Sequence, residues 1–232
     1  MPENGLGIVL FCFGCILIGV MIGGFNGFIV TKFNVQPFIV TFTVNYILLG
    51  VSQLILDRDG GAPAKAFTKV LMTKFGPISL GVIIVLFIII GWFFFRRTKF
   101  IRDVFAVGTN AKASALNGIN VMRVKLITFA LSGGFAALAG LWRTAQLGSG
   151  SPTAGDALTT PTLTISVIGG TSMMGGVGGM YGTVVGAYIL RIISDLLTFL
   201  QTKSFWSTVF QGVFLVATVI VCSIIDRKNR SK

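Results

Sequence analysis

The sequence predicts an all-α, polytopic transmembrane helix bundle, and three observations carry that expectation. Hydrophobic residues make up 53% of the 232 positions and charged residues only 11%, whereas an ordinary soluble domain is about 25% charged. The mean hydropathy is +0.87. Apolar runs long enough to cross a bilayer, about 20 residues for a hydrocarbon core of about 30 Å, recur along the whole chain. The same balance excludes a soluble globular domain, a disordered tail and a secreted disulfide scaffold. The chain has three Cys and no His, so it lacks a histidine base, a histidine metal ligand and a Ser-His nucleophile pair. No catalytic residue, cofactor or metal site is expected.

Taken in order, the spans fall at 5–30, 37–56, 78–95, 126–146, 178–200 and 205–225, with a shorter segment at 160–171. That short segment carries Thr and Ser among its apolar residues, which suits a broken or re-entrant helix packed inside protein. The net charge is +12, from 19 Lys and Arg against seven Asp and Glu. In a soluble protein this surplus would point to nucleic acid. Here seven basic residues crowd the segment 96–125 (Arg96, Arg97, Lys99, Arg102, Lys112, Arg123 and Lys125) against the single acid Asp103, and Arg227, Lys228, Arg230 and Lys232 close the chain. Cytoplasmic loops of membrane proteins collect Lys and Arg, so both segments are expected in the cytoplasm and no nucleic-acid partner is expected. They share a side only if an even number of crossings separates them, which counts 160–171 as a passage. Segment 57–77 then falls outside with Arg58, Lys65, Lys69 and Lys74, partly offset by Asp57 and Asp59. Met1 also falls outside, with no basic n-region before Gly5. That start is expected of a chain lacking an odd number of earlier spans, a truncated product or a fragment.

Two glycine series recur every four residues, Gly19, Gly23 and Gly27, then Gly178, Gly182 and Gly186. Such spacing puts small residues on one helix face and lets backbones approach closely. The denser run from Gly169 to Gly179 breaks a helix and predicts a turn at the end of the short segment. It lacks the Lys of a phosphate-binding loop. On the second span Thr41, Asn45 and Ser52 lie within about 40° of one another at about 100° per residue, a polar stripe on an apolar helix. It serves either as interhelical hydrogen bonding or as a pathway lining for a hydroxylated solute. Arg191 and Asp195, four apart, are spaced to pair on one face, Arg143 to snorkel from the end of its span. Cys12 and Cys15 sit in an apolar helix and need no redox or metal role.

In the basic loop, Asn110 caps a predicted helix over 111–117 and Gly118 ends it. The helix A-K-A-S-A-L-N has no apolar stripe to bury in the bundle. It is either a solvated connection or a surface for another protein.

Six motifs in order, N-G-F-I-V (26–30), P-F-I-V-T (37–41), F-A-V-G-T-N (105–110), G-I-N-V-M-R-V-K (118–125), L-S-G-G-F-A-A-L-A-G (131–140) and V-I-G-G-T-S (167–172), together resemble the membrane permeases of ribose-type and other simple-sugar ABC importers, in the superfamily of branched-chain amino acid and sugar permeases. The similarity covers essentially the whole chain. It implies a type II ABC importer membrane domain over 1–232, without the N-terminal spans of longer family members, in the plasma (inner) membrane. It also implies a second permease chain, a cytoplasmic ATP-binding cassette subunit, an extracytoplasmic solute-binding protein and surrounding lipid. By the same resemblance the ATPase docks on the loop 96–125, a role carried here to Gly108, Asn110, Ala113, Ala115 and Gly118. The family's Arg-Gly pair is replaced by Leu49-Gly50, its acidic residue by the Thr159-Thr160-Pro161 region, and its arginine near Gln146 is absent. The implied solute is a pentose or hexose, with nucleosides, branched-chain amino acids and signalling sugars as alternatives. A passive facilitator and a non-functional remnant are the rivals from other classes.

Overall fold

A computed structural model describes residues 5–72, 74–75, 78–172 and 175–199, with single positions at 209, 212, 213 and 216. The expected span 205–225 (those positions apart) and the basic tail lie outside the described residues. The described helices are α1 (Gly5–Phe33), α2 (Pro37–Ile55), α3 (Lys65–Leu71), α4 (Leu80–Phe95), α5 (Lys99–Thr109), α6 (Ala111–Leu116), α7 (Val121–Leu147), α8 (Thr159–Ile168) and α9 (Met180–Phe199). Two two-residue strands, β1 (Lys74–Phe75) and β2 (Ile78–Ser79), pair antiparallel ahead of α4. Three of the helices, α1, α2 and α7, are long and apolar enough to cross a membrane, and α4 with α5 forms a further pair bent by 81°. α4 alone has 16 residues, about 24 Å at the rise of an α-helix.

The chain forms two compact units, one of Met1–Gly91 with Ser114–Asp156, the other of Trp92–Ala113 with Ala157–Lys232. The first is organised by α1 and α7, which run antiparallel with glycine against glycine. A Cβ on Gly19 would stand 2.6 Å from the Gly133 carbonyl oxygen and 2.7 Å from Ala137 Cβ. Four residues on, a Cβ on Gly23 would collide with the carbonyl of Phe129, and one on Gly27 would stand 2.9 Å from Phe129 Cβ. Lipid tails are as apolar as Leu, so helices in a bilayer gain little by hiding apolar surface from it; close backbone packing supplies the attraction instead. The first glycine series does this. Side chains such as Leu54, Ile55 and Phe87 accordingly point outward, 88%, 81% and 76% exposed.

Local signals set the helix ends. Pro37 occupies the first turn of α2, where its missing N–H costs nothing. Asn120 starts α7 five residues before the expected span, because its Oδ1 accepts the Arg123 N–H at 3.0 Å. Gly148 ends α7 with φ 66°, a left-handed conformation that glycine adopts without a Cβ clash. The segment 57–77, expected as an outer loop, contains α3 instead. Its Phe67, 6% exposed, packs with Ala64 and Ala145 in a small core that Ile8, Cys12, Leu71 and Leu141 border. The backbones of Gly60 and Gly150 bridge antiparallel beside it, each N–H donating to the other carbonyl at 3.0 Å.

In the second unit α8 and α9 form a helical hairpin. Pro161 falls in the first turn of α8, where it is tolerated. Thr164 is fully buried, and its hydroxyl donates to the Thr160 carbonyl at 2.9 Å. Gly182 of α9 lies against the carbonyl of Gly169, and a Cβ on Gly186 would stand 2.6 Å from the Ile165 carbonyl oxygen. Gly178, expected on the same helical face, precedes α9 and meets Thr171 instead. A spacing of four does not say where a helix begins.

Candidate functional site

The site begins at the C-terminal end of α5. Its segment K-F-I-R-D-V-F-A-V-G-T puts Lys99, Arg102, Asp103 and Thr109 on one side and Phe100, Ile101, Val104, Phe105 and Val107 on the other, a helical period in a stretch expected only as a basic loop. Ile101 and Val107 are buried. The helix stops at Asn110, which turns extended with φ −155°. Its Oδ1 then accepts the Ala113 N–H at 3.1 Å, satisfying one of the orphan donors that open α6. At the other end Gly118 takes φ 79°, and its N–H donates to the Ala115 carbonyl at 3.0 Å. Both caps stand where the sequence put them, and α6 runs over Ala111–Leu116.

Within the short helix Ser114 is buried whereas Ala113 and Ala115 are exposed, as are Asn110 and Gly118. Leu116 is 91% exposed. The sequence reasoning passed over this residue, although a lone Leu among alanines on a solvated helix is the available signal.

The glycine-rich loop after α8 packs on this element. Gly175 and Gly176 take φ 89° and 79°, and the Ser172 N–H donates to the Val177 carbonyl at 3.0 Å to close the turn. A Cβ on Gly108 would stand 2.7 Å from Gly176 N, and one on Gly176 would stand 2.6 Å from Thr109 Oγ1. The two backbones thus touch with no room for a side chain on either. Gly108, expected as a docking contact, is exposed and also packs against Gly175 and Gly176.

The polar stripe on α2 is half-buried at all three positions. Thr41 Oγ1 donates within its own helix, to the carbonyls of Pro37 at 3.1 Å and Phe38 at 3.2 Å. Ser52 Oγ donates to the Leu49 carbonyl at 2.8 Å and lies 3.2 Å from that of Pro152, which ties α2 to the segment following α7. The amide of Asn45 lies between them. Asn26, the polar residue of N-G-F-I-V that sequence reasoning left unassigned, has its Oδ1 enclosed without a hydrogen-bond partner. On α9 Arg191 Nε and Asp195 Oδ2 pair at 3.1 Å as the spacing required. Arg143 Nη1 donates to Gln146 Oε1 at 3.4 Å near the end of α7.

No cluster of three or more metal-ligating side chains occurs among the described residues, and what the geometry offers is a close glycine-faced helix pair, a short helix capped at both ends and a polar helix face. Residues 4–219 match the family model described as branched-chain amino acid transport system / permease component. The ribose import permease protein RbsC of Haemophilus influenzae is 31% identical over 92% of this chain and 68% of its own length. The galactose/methyl galactoside import permease protein MglC of the same organism is 28% identical over 99% and 71%, and its xylose transport system permease protein XylH 37% over 76% and 50%. No solved structure matches the chain. With its match across nearly the whole length and its apolar spanning helices, the chain is a multi-pass membrane protein and belongs to the family of branched-chain amino acid transport system permease components.

Proposed function

We propose that the chain is the permease subunit of an ABC importer that brings a simple sugar, a ribose-like pentose or a hexose, across the plasma membrane. The observation that carries this is the agreement of the relatives: ribose, galactose and xylose permeases align with most of the chain at 28% to 37% identity. ATP is hydrolysed on a partner. The chain makes and breaks no bond in the solute. The cytoplasmic ATPase docks on the capped helix α6 and its borders, at Asn110, Ala113, Ala115 and Gly118, with Leu116 as an apolar anchor and Gly108 holding the element against the glycine loop. A solute-binding protein delivers the sugar from outside, and a second permease chain completes the pathway. The α2 face with Thr41, Asn45 and Ser52 lines that pathway. Because the Thr41 and Ser52 hydroxyl protons go to backbone carbonyls, the Asn45 amide is the group left to exchange donors and acceptors with a neutral polyol.

The test is reconstitution of the chain with its ATPase and binding protein in proteoliposomes. Sugar-loaded binding protein stimulates ATP hydrolysis and sugar accumulates inside. Replacing 110–118 by a Gly-Ser linker abolishes both. Uptake that continues without the ATPase would identify a passive facilitator and refute the proposal.

A further inference from the structure

Beyond transport, the junction of α4 and α5 has the features of a lipid-binding site. α4 is apolar throughout, with no buried residue, and ends in Trp92, Phe93, Phe94 and Phe95. Trp is enriched at the level of the headgroups, and Trp92 stands one turn before Arg96. Arg96 and Arg97 follow at once, and the chain then turns by 81° into α5, which brings Lys99 and Arg102 on its polar side. All four cations are exposed, and among the described residues none is in an ion pair. The net charge of 92–109 is +3, Asp103 being its one acid. The Arg97 guanidinium stands 4.8 Å from the centroid of the Phe93 ring, holding a cation at the belt. The apolar side of α5 packs on protein, Ile101 and Val107 being buried, which leaves its basic side facing outward.

We propose that this elbow binds an anionic phospholipid headgroup, with Arg96, Arg97, Lys99 and Arg102 around the phosphate and the aromatic belt against the upper acyl chains. The lengths agree. α4 is about 24 Å long in a core of about 30 Å, and arginines at its end reach the remaining distance by snorkelling. An arginine fork meets phosphate in two parallel hydrogen bonds. A cluster of four or more basic side chains just beyond a spanning helix or on an amphipathic helix is the pattern that attracts anionic lipid.

Trp92 supplies the probe. In a chain carrying Trp142→Phe and Trp206→Phe, its fluorescence is read in nanodiscs holding brominated phosphatidylglycerol in unlabelled phosphatidylcholine, or the reverse at the same brominated mole fraction. The expected result is quenching several-fold stronger by the brominated anionic lipid, since each cation at the headgroup layer contributes about fivefold to binding. The quadruple variant R96Q/R97Q/K99Q/R102Q removes the preference, and Lys112→Gln keeps it. Should the quadruple variant fail to fold, raising the salt to about 1 M on the probe chain lowers the preference through screening. Equal quenching by the two lipids, a preference that survives neutralisation, or one indifferent to salt would overturn the proposal. So would a quadruple variant that keeps the lipid preference and loses ATPase binding, since the basic side would then be a protein contact. None of these readouts depends on sugar transport.

Discussion

Gly19→Ala tests whether the antiparallel crossing of α1 and α7 is what holds the first unit together. The added methyl carbon would lie 2.6 Å from the Gly133 carbonyl oxygen and 2.7 Å from Ala137 Cβ, where ordinary contact begins at 3.4 Å. One obstacle is a backbone atom in mid-helix and cannot rotate away. The helices must therefore separate by up to about 0.8 Å at the crossing, and a gap of that size forfeits a quarter to a half of each neighbouring contact well. Overpacking of this kind costs about 1–3 kcal/mol, and the rigidity of the obstacle places Gly19→Ala in the upper half of that range. Gly24 is the control, because a Cβ there meets nothing within 4 Å. Unfolding of the chain in bicelles, followed by a pair of spectroscopic labels on α1 and α7, measures both variants. Gly19→Ala is expected to lose about 2–3 kcal/mol and Gly24→Ala to stay within about 0.5 kcal/mol of the parent. Two variants of equal stability would refute the crossing as the source of cohesion.

The other predictions concern the candidate site and segment 57–77. Leu116→Ala leaves stability within about 0.5 kcal/mol, because the side chain is 91% exposed, and weakens ATPase binding about tenfold or more in a titration with the purified partner. Asn110→Ala removes the acceptor of the Ala113 N–H and costs α6 about 1 kcal/mol, seen as faster amide exchange over 111–116. Asn45→Leu lowers sugar uptake about three- to tenfold through a lost hydrogen bond, while Ser52→Ala acts on stability by about 1 kcal/mol; equal uptake by parent and Asn45→Leu would remove Asn45 from the pathway. Phe67→Ala empties a site that is 6% exposed, costs about 3–5 kcal/mol and releases α3, so trypsin cleaves faster after Arg58 and Lys69.

Features set by neighbours in sequence were legible, and features set by distant contacts were not. The caps Asn110 and Gly118 act within one turn, so the short helix could be bounded by inspection. Glycines at 19, 23 and 27 announced a close helix approach, but not that Gly133 and Ala137 would meet them. The start of α7 is hidden in the sequence because Arg123 and Lys125 read as loop, whereas the Asn120 cap draws both into the helix. α5 was obscured in the same way. Its charges hid an amphipathic period that Phe100, Ile101, Val104 and Phe105 display. The burial of Phe67 beside Ala145 joins residues nearly 80 positions apart, and no local pattern encodes it. At the site, the glycine run showed that a turn must form, and its position against Gly108 and Thr109 emerged only from the fold.

Distant contacts also bear on the charge balance of segment 57–77. Its Arg58, Lys65, Lys69 and Lys74 sit awkwardly with an outward assignment if every basic residue votes equally. The antiparallel pairing of α1 with α7 separates the votes. Lys32 at the end of α1 and Arg123 and Lys125 at the start of α7 gather at one end of the pair, whereas Ile8, Cys12, Leu141 and Ala145 at the other end receive α3. The bridge between Gly60 and Gly150 fastens the segment to that second end. Along α7 Arg123 and Lys125 stand about 24–33 Å from Leu141 and Ala145, close to the thickness of a hydrocarbon core of about 30 Å. Helix α3 and the cations Lys32, Arg123 and Lys125 therefore lie toward opposite ends of the α1–α7 pair. The charge rule counts short loops near span ends and has little hold on longer segments, which translocate largely regardless of charge. With Lys32, Arg123 and Lys125 on the cytoplasmic side, the basic residues of 57–77 would be carried across with the segment that holds them.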